Sequence, residues 1–279
     1  MSGILYIVGT PIGNLSDISP RALDTLANVD FIAAEDTRVT LKLLTHFGIK
    51  KPLVSSHRHS TLSCQESIVE RVRAGESCAV VTDAGMPCIS DPGEDLVKMC
   101  ADADIRVEVV PGATAAMSAL AVSGLPTSRF SFEGFLSTAK KPRHTHLEDC
   151  ARSEYTLIFY EAPHKLRETL SDLLEYLGDR RVSLCRELTK IHEEVIRTTL
   201  SQAVEYYRDV QPRGEFVLIV EGARHEEEAQ PTIEAALAKV LEMTDGGMKP
   251  SDACKEAAKL TGFKKSELYA ALLARRDEQ

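Results

Sequence analysis

The chain has 279 residues, a formal charge of −9 at pH 7, 43% hydrophobic and 27% charged residues, and no tryptophan. This balance excludes a disordered or collagen-like polymer, and the length predicts about two globular domains with a small appendage. No apolar run approaches the roughly 18 residues of a bilayer span, and no basic-then-apolar signal opens the chain, so we expect neither a membrane segment nor export.

Short β-rich runs alternate with helical stretches through the first 120 or so residues. A Ser19-Pro20 pair, which suits an N-cap and first helical position, begins a predicted helix that runs to about Ala27. Gly48 and Gly75 end two further predicted helices. The alternation predicts a largely parallel α/β sheet that is covered on both faces. The predicted strands are 4–8, 31–34, 53–55, 78–82 and 106–110.

The segment Gly124-Leu125-Pro126 interrupts this pattern, and a second group of strands follows it. We therefore predict one α/β domain at 1–122 and a second α/β domain at 123–224. The predicted strands of the second domain are 130–133, 155–160, 181–185, 194–199 and 215–221.

The last fifty residues form a separate segment. It follows a polar stretch at 222–228, which we interpret as a solvated linker. Glycine-containing turns separate three short predicted helices, which is typical of a helix-turn-helix domain, here at 230–279. Residues 246–276 hold seven Lys and Arg against three Asp and Glu, so this stretch of the domain is basic although the whole chain is acidic. The three helices are predicted at 232–243, 251–260 and 265–273.

The seven cysteines include no C-x-x-C pair and no short cluster with histidine. Zinc sites and disulfide frameworks commonly show such spacings, so we expect neither a bound metal nor a disulfide framework. The expected compartment is therefore reducing and cytoplasmic.

Three loops rich in small residues each follow a predicted strand of the first domain, at 9–15, 83–93 and 111–116. Glycine lets a backbone approach a ligand closely, and the carboxyl ends of parallel strands share one edge of a sheet. We therefore predict that the loops converge on a bulky organic ligand. They lack the G-x-G-x-x-G dinucleotide fingerprint and the lysine of a P-loop. The alternative is that they are rigid turns, with Asp91 capping the helix that follows.

Charged side chains follow other strands. Glu35-Asp36-Thr37-Arg38 comes after the second strand, and the second domain offers the segments 159–164 and 186–194, of which the latter combines acid, base and histidine. Each segment also has a structural explanation. Asp36 or Thr37 suits a helix N-cap, and a histidine in a charged run is commonly a surface residue.

Together these segments resemble the tetrapyrrole methylase superfamily and, within it, the rRNA small-subunit methyltransferase I family. The sequence Leu-Tyr-Ile-Val-Gly-Thr-Pro-Ile-Gly-Asn-Leu at 5–15 and the Glu-Asp-Thr-Arg run at 35–38 are similar to this family in particular. The glycine loops alone mark only the superfamily. The resemblance covers nearly the whole chain and is carried by residues 5–15, 32–38, 83–93, 111–112, 123–127, 132–136 and 186–190.

The resemblance implies two α/β domains of tetrapyrrole-methylase type with S-adenosyl-L-methionine in the cleft between them. It implies methylation of the ribose 2′-hydroxyl of a cytidine in the decoding region of 16S rRNA and a homodimer as the assembly. The substrate is the 30S subunit or, as the alternative that the sequence leaves open, naked rRNA. The small-residue loops depart from the family mildly, at Met86, Cys88 and Ala113-Thr114. The implied cofactor contacts are Thr10, Pro11, Asp83, Met86, Thr114, Ala115 and Tyr160.

For the chemistry, we expect that holding the ribose oxygen in line with the sulfonium methyl contributes most. We hypothesise that Asp36 or Glu187 accepts the hydroxyl proton, while Lys190 and Arg38 hold a phosphate or the developing oxyanion. RNA affinity is expected from the basic stretch 246–276 of the C-terminal domain and from a basic loop at 136–152 that includes Arg143.

Two other functions stay open at this point. A methyltransferase for a tetrapyrrole precursor would use the same fold and cofactor, although the basic C-terminal domain and the 35–38 run favour RNA. A noncatalytic regulator would bind DNA through the terminal helices, but these lack the Arg, Asn and Gln cluster of a base-reading helix.

Overall fold

A computed structural model describes residues 2–57, 61–223 and 232–277. The chain divides into two compact units, Met1–Ala223 and Arg224–Gln279. The first unit contains two five-stranded sheets, and the second contains three helices. The predicted α/β class with a C-terminal helical domain is confirmed. The domain limits 1–122, 123–224 and 230–279 stay predictions.

The first sheet is parallel throughout, in the order β3-β2-β4-β1-β5. Helices cover both of its faces, and β2 and β4 are buried along their whole length. Strands buried on both faces are continuously apolar, which is why the sequence located them to within one residue. The strands are β1 (Ile4–Val8), β2 (Phe31–Ala34), β3 (Leu53–Ser55), β4 (Cys78–Val81) and β5 (Arg106–Val110).

Two helices pack on each face of this sheet. α1 (Pro20–Asn28) and α2 (Thr37–His46) cover one face, and α3 (Leu62–Arg73) and α4 (Glu94–Asp102) cover the other. Ser19 caps α1 as predicted, because its hydroxyl accepts the Ala22 N–H. The suggested cap at Asp91 is not observed, since α4 begins after Gly93, which has a φ of 128°.

The second sheet is mixed, in the order β6-β7-β10-β8-β9. β6 and β7 run parallel, whereas β10 is antiparallel to both β7 and β8. β8 and β9 are joined by the short connection 187–193, which an antiparallel pair permits and a parallel pair does not. The strands are β6 (Phe130–Phe135), β7 (Thr156–Glu161), β8 (Arg181–Arg186), β9 (Glu194–Thr199) and β10 (Phe216–Val220).

Four helices cover this sheet. α5 (Ala115–Ser123) follows β5 in the chain but packs on the second sheet, where its Leu120 meets Ile158. On the opposite face lie α6 (Lys140–Ala151), α7 (Leu166–Leu177) and α8 (Leu200–Asp209). The chain therefore crosses between the two sheets directly after β5.

The prediction of a loop at 136–152 is wrong, although Lys140 and Lys141 in this segment are exposed. Most of it forms α6, and Arg143 is buried, paired with Asp172 and donating to the Thr169 hydroxyl at 3.0 Å. A guanidinium committed to an internal carboxylate is not available to an RNA phosphate.

The second unit consists of α9 (Ile233–Asp245), α10 (Pro250–Thr261) and α11 (Lys265–Asp277) around a small apolar core. Gly262, with a φ of 76°, ends α10. The lysines at 255, 259, 264 and 265 are exposed. In the described part of the chain, no helix combines the length and hydrophobicity needed to cross a membrane.

Candidate functional site

The loops after β1, β4 and β5 meet at the carboxyl edge of the first sheet, as predicted. Thr10 and Gly85 form a reciprocal backbone pair with N–O distances of 2.9 and 3.2 Å. The backbones of Gly9 and Gly112 touch, since a Cβ on Gly9 would lie 2.7 Å from the Gly112 Cα. Any side chain at these two glycines would force the loops apart.

The residues expected to bind the cofactor have different positions around this junction. The Thr10 side chain is buried and donates to the Thr82 carbonyl at 3.2 Å, so it joins the loops. Met86 is half-buried, and its sulfur lies against Gly9. Pro11 is buried, whereas Asp83 is exposed at the edge of the sheet.

Tyr160, at the end of β7, ties the second sheet to the start of α5. Its hydroxyl oxygen accepts the Ala116 N–H at 3.1 Å, and Thr114 caps the same helix by accepting the Met117 N–H at 3.2 Å. Burial raises the pKa of Tyr160, so the phenol keeps its proton. A phenol that keeps its proton can donate a hydrogen bond as well as accept one, and the neighbouring Ala115 is half-buried.

Three carboxylates gather where β2 and β4 end. Glu35 accepts the Thr82 hydroxyl at 2.6 Å, and Asp83 accepts the Asp36 N–H at 3.1 Å. Two effects raise the pKa of Asp83. The larger is the partial desolvation of its carboxylate, although the residue as a whole is exposed, and the smaller is the negative charge of Glu35. The edge of the sheet is therefore rich in hydrogen-bond acceptors.

Asp36 caps α2 by accepting the Arg38 N–H at 2.8 Å, which confirms one of the two suggested caps. The Arg38 guanidinium also grips the carboxylate through both oxygens, at 3.0 Å (Nε–Oδ1) and 2.6 Å (Nη2–Oδ2). These hydrogen bonds lower the pKa of Asp36 to about 2. Asp36 is thus a weak proton acceptor near neutral pH.

Glu187 and Lys190 lie in the connection between β8 and β9. The Lys190 Nζ is 2.9 Å from the Glu187 Oε1 and 2.9 Å from the Glu215 Oε2. Burial opposes ionisation of Glu187, but hydrogen bonds from the Glu215 N–H and from Lys190 outweigh it and lower the Glu187 pKa. Burial also opposes the charge on Lys190, but its two carboxylate partners raise its pKa. Both groups are therefore ionised.

The 187–193 connection touches the loop after β1. The Asn14 N–H donates to the Thr189 Oγ1 at 3.1 Å, and a Cβ on Gly13 would lie 2.5 Å from the Lys190 Cγ. Thr189 and Lys190 are therefore held against the loop after β1.

Backbone strain marks this connection and the 83–93 loop. Glu187 and Thr189 have φ values of 52° and 64°, and Cys88 and Ser90 have values of 71° and 65°. A left-handed conformation at a non-glycine residue costs on the order of 1 kcal/mol and persists where the surrounding structure imposes it, often at functional sites.

The structure thus brings Asp36 to Arg38 and Glu187 to Lys190, but no hydrogen bond or ion pair joins these two pairs within the described residues. The sequence analysis did not find Glu215 or the Glu35–Thr82 hydrogen bond. Both contacts follow from strand order, because β10 pairs with β8 and β4 pairs with β2.

Comparison with known proteins gives matches along the whole chain. Residues 4–204 match the family model of tetrapyrrole (corrin/porphyrin) methylases, and residues 229–276 match the RsmI C-terminal HTH domain. Proteins named ribosomal RNA small subunit methyltransferase I from Synechocystis sp. and Bacillus subtilis are each 46% identical to the chain. Both alignments cover 96% of this chain, and they cover 96% and 94% of the respective relatives.

A solved structure shares the fold of the first unit. It is uroporphyrin-III C-methyl transferase from Thermus thermophilus complexed with S-adenyl homocysteine, with a TM-score of 0.54 and 20% identity. The superposition covers 78% of this chain and 97% of that chain.

Proposed function

The chain belongs to the ribosomal RNA small subunit methyltransferase I family of tetrapyrrole methylases, and from this premise we propose that it methylates the ribose 2′-hydroxyl of a cytidine in 16S rRNA. The methyl donor is S-adenosylmethionine, and the target lies in the decoding region of the 30S subunit, in the cytoplasm. A homodimer is the proposed assembly. The observation that carries the proposal is the 46% identity, over nearly the whole chain, to proteins named ribosomal RNA small subunit methyltransferase I. The contact of Lys190 with Gly13, in the loop after β1, supports the choice of site.

The residues at this edge suit S-adenosylmethionine, which would supply a methyl group activated on a sulfonium. Asp83 offers an exposed carboxylate to ribose hydroxyls or to the ammonium group, and Tyr160 keeps a proton to donate. Met86 and Ala115 provide apolar surface for the adenosine. Pro11 and Thr114 would contribute mainly through their backbone, because the Thr114 hydroxyl caps α5. Thr10 would contribute by holding its loop in place, because its hydroxyl and both of its backbone groups already have partners.

We assign the ribose to the Glu187–Lys190 pair. Glu187 accepts the proton that the 2′-hydroxyl loses, and Lys190 stabilises the charge that develops on that oxygen. Asp36 is less suited to accept the proton, because the Arg38 guanidinium holds both of its carboxylate oxygens, whereas Lys190 and the Glu215 N–H both donate to the Oε1 of Glu187. We assign Asp36 to holding Arg38, whose side chain is 86% exposed and able to contact an RNA phosphate.

RNA affinity is assigned chiefly to the second unit. Its exposed lysines supply phosphate contacts, which give affinity and position but carry no sequence information. The target cytidine would be splayed from the RNA into the methylase unit to be recognised.

The proposal is tested by incubating the purified protein with methyl-labelled S-adenosylmethionine and 30S subunits from cells that lack this activity. Nuclease digestion and mass spectrometry then locate the label. The expected product is 2′-O-methylcytidine in the decoding region. Absence of label from the RNA, with cofactor binding retained, would contradict the proposal, and label in a tetrapyrrole precursor would support the alternative enzyme.

A further inference from the structure

A cluster of three metal-binding side chains lies in the second sheet, and the proposed methyl transfer does not use it. Glu133, His146 and Cys150 each present one ligand atom, and these atoms lie within 4.8 Å of one another. The Glu133 Oε2 and the His146 Nε2 are 2.7 Å apart. The cluster sits at the boundary of the core, because Cys150 is 4% exposed and the His146 side chain is 31% exposed.

The local backbone explains how the three residues meet. His146 and Cys150 are four residues apart on α6, so they lie on the same face of that helix. Glu133 lies at a β-bulge in β6, where the register with β7 shifts between Phe132 and Gly134. A bulge redirects a side chain from its regular place in the strand, and here the Glu133 carboxylate reaches α6.

Carboxylate, imidazole and thiolate are the three side-chain ligands that zinc takes in proteins. Zinc–ligand bonds of about 2.0–2.3 Å place neighbouring ligand atoms roughly 3.5 Å apart in a tetrahedron. The Glu133–His146 contact of 2.7 Å must widen to about that distance, and wider separations, none of which exceeds 4.8 Å, must close to it. We propose that Glu133, His146 and Cys150 bind a Zn²⁺ ion, with water as the fourth ligand.

On binding, Zn²⁺ replaces the Cys150 thiol proton, which passes to solvent, and it takes the place of the hydrogen bond between Glu133 and His146. The ion would join β6 to α6. Tyr160 packs on the face of the sheet that carries α5, whereas Cys150 packs on the opposite face. The proposed site therefore stabilises the second sheet and does not contact the reacting groups.

The test uses the untagged full-length chain, stripped of metal with a chelator and titrated with Zn²⁺, and with Co²⁺ as a spectroscopic probe. We expect one equivalent to bind, and the cobalt form to show a thiolate-to-metal charge-transfer band in the near ultraviolet. Cys150→Ser should abolish that band, and Cys150→Ser and His146→Ala should each weaken binding by at least about 100-fold, since loss of even an outer-shell partner costs 10–100-fold.

Matched controls separate this cluster from chance binding elsewhere. His144→Ala, which lies on α6 like the proposed ligands His146 and Cys150, should bind Zn²⁺ as the wild type does. Cys64→Ser, on α3, should do the same. Zn²⁺ should raise the melting temperature of the wild type but not that of Cys150→Ser, whose fold is checked by circular dichroism. The proposal is overturned if no saturable one-to-one binding occurs, or if His146→Ala and Cys150→Ser retain it.

Discussion

The Asp36–Arg38 and Glu187–Lys190 pairs each join a carboxylate to a cationic side chain, but in different settings. The Asp36 pair is local, joins residues two apart, and ends in a guanidinium that is 86% exposed. The Glu187 pair lies in a turn with left-handed backbone, is held by Glu215, and rests against Gly13 from the other sheet. A charged pair in the sequence therefore does not by itself indicate chemistry, because the surrounding contacts decide whether its atoms have a fixed position.

The largest expected effect distinguishes the two carboxylates. Glu187→Gln should lower the single-turnover rate of 30S methylation about 100-fold, because the amide cannot accept the hydroxyl proton. Asp36→Asn should lower the same rate less than about tenfold. Both variants should bind cofactor like the wild type, as measured by calorimetry. Equal losses, or a larger loss in Asp36→Asn, would refute the assignment of Glu187 as the proton acceptor.

The second effect separates RNA affinity from chemistry. Deleting residues 230–279 removes the exposed lysines of the second unit and should weaken RNA binding at least about tenfold, with a shallower dependence on salt. Cofactor affinity should not change, because the ligand loops belong to the first unit. Filter binding at several salt concentrations measures the slope, and an unchanged slope would show that the phosphate contacts lie elsewhere.

A third variant tests whether the Glu187 pair depends on its position. In Gly13→Ala the new Cβ would meet the Lys190 Cγ at 2.5 Å, so the 187–193 connection must shift. We expect about a tenfold loss of single-turnover rate, since small displacements of reacting groups are costly. Ser16→Ala, at an exposed position in the same loop, is the matched control and should react normally. A wild-type rate in Gly13→Ala would mean that the contact has no role in positioning.

Much of the first sheet could be predicted from the sequence because its strands are buried on both faces and form apolar runs. The three ligand loops were located for the same reason, since each follows one of those strands. α6 was missed because Lys140, Lys141 and Arg143 suggested a solvated basic loop. The buried Arg143 forms its ion pair with Asp172, which is distant in sequence and lies on another helix.

The contacts of the candidate site were less predictable than its residues. The sequence placed Glu187 near Lys190 because they are three residues apart, but Glu215 reaches Lys190 only through the pairing of β10 with β8. The proximity of Gly13 to the same lysine depends on the meeting of the two sheets. Strand order and sheet packing are collective properties, so spacing along the chain does not reveal them.

The smallest expected effect concerns the contribution of the Asp36–Arg38 pair to the stability of the fold. Hydrogen bonds from Arg38 lower the pKa of Asp36 from 3.8 to about 2, so the ionised form is favoured in the folded state. Its contribution to stability is complete above the unfolded-state pKa of about 4 and is lost as the pH falls through the folded-state value of about 2. Asp36→Asn removes this contribution at every pH, whereas the wild type loses it only in acid.

The difference in urea midpoint between wild type and Asp36→Asn should therefore be constant from pH 7 to about pH 4.5. It should shrink towards pH 2.5, because Asp36 of the unfolded wild type is then largely protonated while the folded state still favours the ionised form. Asp17→Asn, at an exposed position on the same unit, controls for the general effect of removing one negative charge. A difference that does not change between pH 5 and pH 2.5 would show that the ionised Asp36–Arg38 pair does not stabilise the start of α2. Loss of the difference in acid, together with a small effect on methylation, would show that this pair serves the helix, whereas the Glu187 pair serves the reaction.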